Sequence, residues 1–129
     1  MKVRSGIDIV DISRIEKSIG KSDAFVKKCF TTNEISYCEA LAPARKIESY
    51  AGRFAAKEAV SKALGTGIMA EGIALADIEI VTNEKGAPEL VLHGKACELA
   101  EEMGIFSRSV SISHDGGYAV ACCYMLSEN

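Results

Sequence analysis

The stretch Ala44-Arg45-Lys46-Ile47-Glu48-Ser49-Tyr50-Ala51-Gly52-Arg53-Phe54-Ala55-Ala56-Lys57-Glu58-Ala59-Val60-Ser61-Lys62-Ala63-Leu64, closed by Gly65, decides how this chain folds. Ile47, Tyr50, Ala51, Phe54, Ala55, Ala59 and Ala63 recur at the 3.6-residue period, so the stretch reads as one long helix. Pro43 stands at its first turn, where a missing N–H costs little, and Gly65 stops it. Ala51, Ala55, Ala59 and Ala63 form a ridge of small side chains. Such a ridge lets another backbone come close, and a sheet is the expected partner.

On the N-terminal side, residues 3–10 read as a strand broken by Gly6, with Ile7 and Ile9 on one side and Asp8 on the other. Asp11 or Ser13 is placed to cap a short helix carrying Ile12, Ile15 and Ile19, with Arg14 and Lys17 facing out and Gly20 ending it. Residues 24–30 read as a second short helix. Thr31 and Glu34 form a capping box for a third, running to about Leu41.

On the C-terminal side, residues 78–81 and 89–92 flank the turn Asn83-Glu84-Lys85-Gly86 as a hairpin. Residues 95–103 read as a helix, Val110-Ser111-Ile112-Ser113 alternates, and Gly116-Gly117 turns the chain into a nearly all-apolar run, 118–125, that fits a central strand. Helices lead and antiparallel strands follow. The expectation is a single α+β domain over residues 1–129, a long central helix packed on an antiparallel sheet.

Composition narrows the function classes. The chain has 129 residues, 48% hydrophobic and 26% charged with 2 Pro, which excludes disordered, collagen-like and coiled-coil chains. No apolar run approaches the ~18–20 residues of a membrane span. Met1 to Gly6 carries no signal segment, so a cytoplasmic protein without membrane attachment is expected. Cys29, Cys38, Cys97, Cys122 and Cys123 are odd in number and form no C-x-x-C pair, which argues for free thiols over disulfides or structural zinc. Cys122 and Cys123 should point to opposite faces of a strand. The net charge of −3 argues against nucleic acid. Residues 1–30 carry seven Lys/Arg against four Asp/Glu, a local excess of positive charge on an acidic protein. That suggests an acidic partner docking near the N-terminus.

Several polar residues stand where a fold alone would not ask for them. Asp8 interrupts an apolar strand, and unless that face is exposed its carboxylate needs a partner or a cation. Glu58 and Lys62 lie four apart on one helix face, with Lys57 at its edge. Read alone they are a surface ion pair worth ~0.3–0.5 kcal/mol, but the alanine-rich surroundings make idle charges less expected. Gly65-Thr66-Gly67 permits close approach of backbone to a ligand. It is not a Walker loop, because it follows a helix and the lysines precede the glycines. His114, ending a strand beside Gly116-Gly117, is placed to touch a phosphate. His93 shows no partner and reads as structural. Asp8, Glu58, Lys57, Lys62, Arg53 and Arg45 with a glycine loop suit a Mg²⁺-dependent enzyme acting on a phosphate ester or diphosphate.

Gly6-Ile7-Asp8-Ile9-Val10, Phe30-Thr31 with Glu34, the block from Ala51 to Gly67, Asp77-Ile78-Glu79-Ile80, Gly86-Ala87-Pro88 and Ser111-Ile112-Ser113-His114 closely resemble the holo-acyl-carrier-protein synthases of the 4′-phosphopantetheinyl transferase family. The match runs along essentially the whole chain in order. It implies transfer of 4′-phosphopantetheine from coenzyme A to a serine of apo-acyl carrier protein, in support of fatty acid biosynthesis, with Mg²⁺ and release of adenosine 3′,5′-bisphosphate. It also implies a homotrimer with active sites between subunits. By position, Asp8 and Glu58 bind the metal, and Lys62 pairs with the diphosphate or helps the leaving group. The base is left open between Glu58 and a metal-bound water.

Lys57, Gly65, Thr66, Gly67 and His114 match coenzyme A contacts by position, Arg45 and Arg53 are candidate phosphate contacts, and Pro88 with the Gly86 turn is expected near the adenine. Arg14, Lys17, Lys21, an exposed Phe25 and Lys28 form the docking patch for the acidic carrier protein. Lys28 stands where relatives often have Arg, and Asp115 where a hydroxyl residue is common. Two other readings use the same residues. One is a Mg²⁺-dependent hydrolase of nucleotide diphosphates, which leaves the basic first helix unexplained. The other is a non-catalytic coenzyme A-binding module, against which the presence of Asp8, Glu58 and Lys62 speaks.

Overall fold

The computed structural model describes residues 1–65 and 72–128. The chain enters as β1 (Lys2–Asp11) and passes through α1 (Ile12–Lys21), α2 (Asp23–Cys29) and α3 (Thr32–Glu39) into the long α4 (Pro43–Ala63). A short 3₁₀ turn leads into β2 (Ile78–Thr82) and β3 (Pro88–Leu92). Then come α5 (Gly94–Glu102), β4 (Ile105–Asp115) and β5 (Tyr118–Ser127). One sheet has the order β1-β5-β4, with β5 central as its apolar run foretold; β2 and β3 form a separate hairpin. All pairings are antiparallel. The expected α+β architecture is present.

The helix signals act locally. The Asp11 side chain accepts from Ser13 N at 2.9 Å and starts α1. Gly20 does not stop this helix: it continues to Lys21, and Ser22, in extended conformation, closes α1 and caps α2. Thr31 and Glu34 form the full capping box of α3, which ends at Glu39 rather than Leu41. Pro43 opens α4.

The alanine ridge docks α4 on the inner face of the three-stranded sheet. A Cβ added at Gly6 would lie 1.9 Å from Ala59 O and 2.8 Å from Ala63 N, so strand and helix backbones nearly touch there. At Gly52 an added Cβ would meet Ile112 Cγ2 at 2.8 Å. Between these points the helix buries Ala55, Ala59 and Ala63 against Ala121, Cys123 and Met125 of β5. On the other side Ile15, Phe30, Tyr50 and Ala51 form a second cluster under α1 to α3.

Period two holds along β1, but the apolar side is the outer one. Ile7 and Ile9 are each 63% exposed, while Gly6 is buried and Asp8 is half-buried beneath α4. In the paired strand Tyr118 and Tyr124 are also exposed, and Ile7 stands opposite Cys122 and Ile9 opposite Val120. The outer sheet face is thus an apolar surface. Cys123 is buried and Cys122 lies on this outer face. No helix among the described residues is long and apolar enough to cross a membrane.

Gly6→Ala tests the docking. Overpacking against a helix backbone is expected to cost ~3 kcal/mol or more and to lower the melting temperature by roughly 10 °C. Ser5→Ala, one residue away on the outer face, should leave it unchanged.

Candidate active site

Because Gly6 lets β1 lie against α4, the next inward residue, Asp8, meets the last turns of that helix. Lys62 Nζ donates to Asp8 Oδ1 at 3.1 Å and to Ile7 O at 2.9 Å. Asp8 Oδ2 is buried with no hydrogen-bond partner. Glu58 adjoins it, and burial first and the Asp8 carboxyl second push Glu58 up to about 7. Two crowded carboxylates, one with an orphaned buried oxygen, are unfavourable unless a cation joins them. Oxygen donors of this kind suit a hard divalent ion such as Mg²⁺. No group of three or more ligating side chains occurs among the described residues, so water and substrate oxygens would complete such a shell. Gly65, just past α4, is exposed with φ 81°. Thr66 and Gly67 lie outside the described residues.

A groove of about 350 Å³ runs from Glu58 between α1, α2 and α4, walled by Arg14, Ile15, Phe25 and Phe54. Arg14, Lys17 and Lys21 are exposed on α1, as is Lys28 on α2. Phe25 differs from expectation. It is half-buried, with its ring 6.1 Å from that of Phe30 and 5.8 Å from that of Phe54. It shapes the groove wall and is no free-standing anchor.

A second cavity, about 210 Å³, opens at the other end of α4 and gathers Arg45, Arg53, His114, Gly86 and Pro88, all marked in the sequence. Arg53 is 5% exposed and donates to Ser49 Oγ and Thr82 Oγ1, both at 2.7 Å. His114 Nδ1 lies 3.6 Å from Glu48 Oε2. Tyr37, Glu48 and Thr82 also line this cavity and went unnoticed in the sequence. Tyr37 and Thr82 carry no motif; Glu48, one turn beyond Arg45 on the helix face, could have been found by spacing. Arg45 and Glu58 are thirteen residues apart on one helix, about 20 Å along its axis. Arg53, in the same cavity, is five residues from Glu58, about 7.5 Å along that axis.

Lys57 corrects the sequence reading. Its side chain is 0% exposed and cannot reach a ligand. It donates to Glu34 Oε1 at 2.7 Å, to Leu75 O at 3.1 Å and to Ile78 O. Burial pushes the Lys57 amine below the ordinary lysine range, opposed by the Glu34 charge. Glu34 Oε2 also accepts from Ile80 N at 3.0 Å, so one buried ion pair ties α3, α4 and β2 together. Thr31 Oγ1 donates to Glu79 Oε2 at 2.6 Å, and His93 Nε2 lies 2.9 Å from Glu79 Oε1. His93 thus has a partner after all. Burial pushes Glu79 up, but the hydrogen bonds from Thr31 and His93 outweigh it and hold the carboxyl below its usual range.

A family model described as the 4′-phosphopantetheinyl transferase superfamily matches residues 4–123. The chain belongs to this superfamily. The holo-acyl-carrier-protein synthase of Geobacter sulfurreducens is 46% identical over 118 residues, 91% of each chain. That of Ruminiclostridium cellulolyticum is 48% identical over 122 residues, 94% of this chain and 90% of the relative. The crystal structure of the Helicobacter pylori synthase in complex with coenzyme A superposes with a TM-score of 0.82 at 40% identity, over 95% of this chain and 99% of that one.

Lys57→Met separates the two readings of this transferase lysine. It leaves Glu34 buried and unpaired, a loss expected to cost ~3–5 kcal/mol and to lower the melting temperature by 10 °C or more. Lys62→Met, at a side chain 55% exposed, should barely change it.

Proposed function

We propose that this chain is a holo-acyl-carrier-protein synthase. It transfers 4′-phosphopantetheine from coenzyme A to a serine of apo-acyl carrier protein and releases adenosine 3′,5′-bisphosphate, in the cytoplasm and in support of fatty acid biosynthesis. The observation that carries this reading is the Asp8–Glu58–Lys62 cluster at the head of a groove flanked by the basic face of α1. A hydrolase would need the cluster but not the groove.

In this reading Asp8 and Glu58 hold Mg²⁺, which when bound offsets negative charge on the diphosphate of coenzyme A. Arg14, Lys17, Lys21 and Lys28 attract the acidic carrier protein and lay its serine along the groove. The serine oxygen attacks the pantetheine-side phosphorus, and the bond to the bridging oxygen breaks. The serine proton passes to a Glu58 carboxylate oxygen, since Glu58 faces the groove. The Lys62 ammonium, half-exposed, meets the charge left on the departing bisphosphate.

Arg45, Arg53 and His114 receive the phosphorylated adenosine. In this reading the cavity that serves each carboxylate cluster belongs to a neighbouring copy in a homotrimer. The apolar outer face around Ile7, Ile9 and Tyr124 supplies the contact for a homotrimer.

Incubation with coenzyme A, Mg²⁺ and apo-acyl carrier protein should add about 340 Da to the carrier, the mass of the transferred arm. Asp8→Asn should abolish the gain and leave the melting curve intact. Cleavage of coenzyme A without a mass gain would favour a hydrolase. Arg14→Glu should raise KM for carrier protein about ten-fold, the cost of reversing one interface charge, with KM for coenzyme A unchanged; an equal rise in both would remove α1 from docking.

A further inference from the structure

The basic cavity holds an aromatic residue that the transfer chemistry does not use. Tyr37 stands near the end of α3, 39% exposed, and lines the cavity with Arg45, Arg53 and His114. The Arg53 guanidinium carbon lies 4.5 Å from the centroid of the Tyr37 ring, within cation–π range. The guanidinium is thereby clamped on three sides. Ser49 and Thr82 accept from its two terminal nitrogens, and the ring covers its plane.

All three partners are neutral. Among the described residues no carboxylate comes within ion-pair distance of Arg53, and its Nε is buried without a partner. Glu48, the carboxylate lining the same cavity, faces His114 instead, at 3.6 Å. A buried guanidinium held only by neutral groups keeps its whole charge for an incoming anion. An aromatic face suits this task, because it attracts a cation without cancelling it. A carboxylate in its place would fix Arg53 equally well and repel a phosphate.

We propose that Tyr37 is a positioning residue for the nucleotide: its ring clamps Arg53 in the orientation that receives a phosphate of adenosine 3′,5′-bisphosphate, and leaves the guanidinium charge free to bind it. The inference rests on the reading of this cavity as the coenzyme A nucleotide site. The ring face does the work, so the hydroxyl is dispensable and any residue without a ring is not equivalent.

The test is calorimetric titration of the wild-type protein, Tyr37→Phe and Tyr37→Ala with adenosine 3′,5′-bisphosphate, alongside KM and kcat in the carrier-protein assay. Tyr37→Ala should bind the bisphosphate about ten-fold more weakly and raise KM for coenzyme A by the same factor, as loss of one desolvated cation–π contact implies. Its kcat, its KM for carrier protein and its melting temperature should stay at wild-type values, and Tyr37→Phe should match wild type throughout. Equal affinity in Tyr37→Ala would overturn the proposal, as would equal weakening in Tyr37→Phe, which would assign the effect to the hydroxyl. A joint fall in kcat and melting temperature would reduce Tyr37 to packing and overturn it too. Wild-type protein that binds the bisphosphate with the Tyr37 dependence but never modifies the carrier would refute the transferase reading and leave the clamp standing.

Discussion

The backbone contact between Gly6 and Ala59 is the constraint on which the rest of the structure depends. No bulky side chain separates β1 from α4 there, because the glycine has none and the alanine ridge supplies only methyl groups. With helix and strand so close, the next inward residue of β1 must also face the helix. That residue is Asp8, and the helix residues it meets are Glu58 and Lys62. A glycine and four alanines thus bring together carboxylates fifty residues apart in sequence. The same geometry turns Ile7 and Ile9 outward and creates the apolar sheet face.

Helix α4 keeps stability and chemistry on different sides of one cylinder. Lys57 and Glu58 are adjacent, and the ~100° rotation per residue sends them apart. Lys57 enters the interior, where Glu34 and two backbone carbonyls surround its ammonium. Glu58 stays at the wall of the groove between α1, α2 and α4. The interior pair is costly to desolvate and destabilising to break, so it acts as a latch among α3, α4 and β2. The hydrogen bonds from Thr31 and His93 to Glu79 extend that latch toward the hairpin and α5.

The elements with strong local signals were legible in the sequence. The 3.6-residue period and Pro43 mark α4, Thr31 and Glu34 mark the start of α3, and the apolar run of β5 marks the central strand. Asp8, Glu58 and Lys62, singled out as odd charges, come together as expected. What stayed hidden depends on tertiary partners. Alternation along β1 separates its two faces but cannot say which is covered, and the apolar one is exposed. Lys57 looks like a free cation until Glu34, twenty-three residues earlier, is seen beside it. Phe25 looks exposed among lysines until Phe30 and Phe54 are placed against it. Gly20 looks like a stop until Ser22 is seen to perform that role.

In the proposed homotrimer each active site joins the carboxylates of one copy to the basic cavity of another. Mixing two crippled variants tests it most directly. Asp8→Asn lacks a working carboxylate cluster, and Arg45→Ala lacks a working cavity. If sites are shared, subunit exchange between equal amounts should restore about a quarter of the wild-type transfer rate, the fraction of sites that receive both intact halves by random assembly. Exchanged mixtures with no more activity than the two variants measured apart would contradict the account and place both halves of the site in one chain.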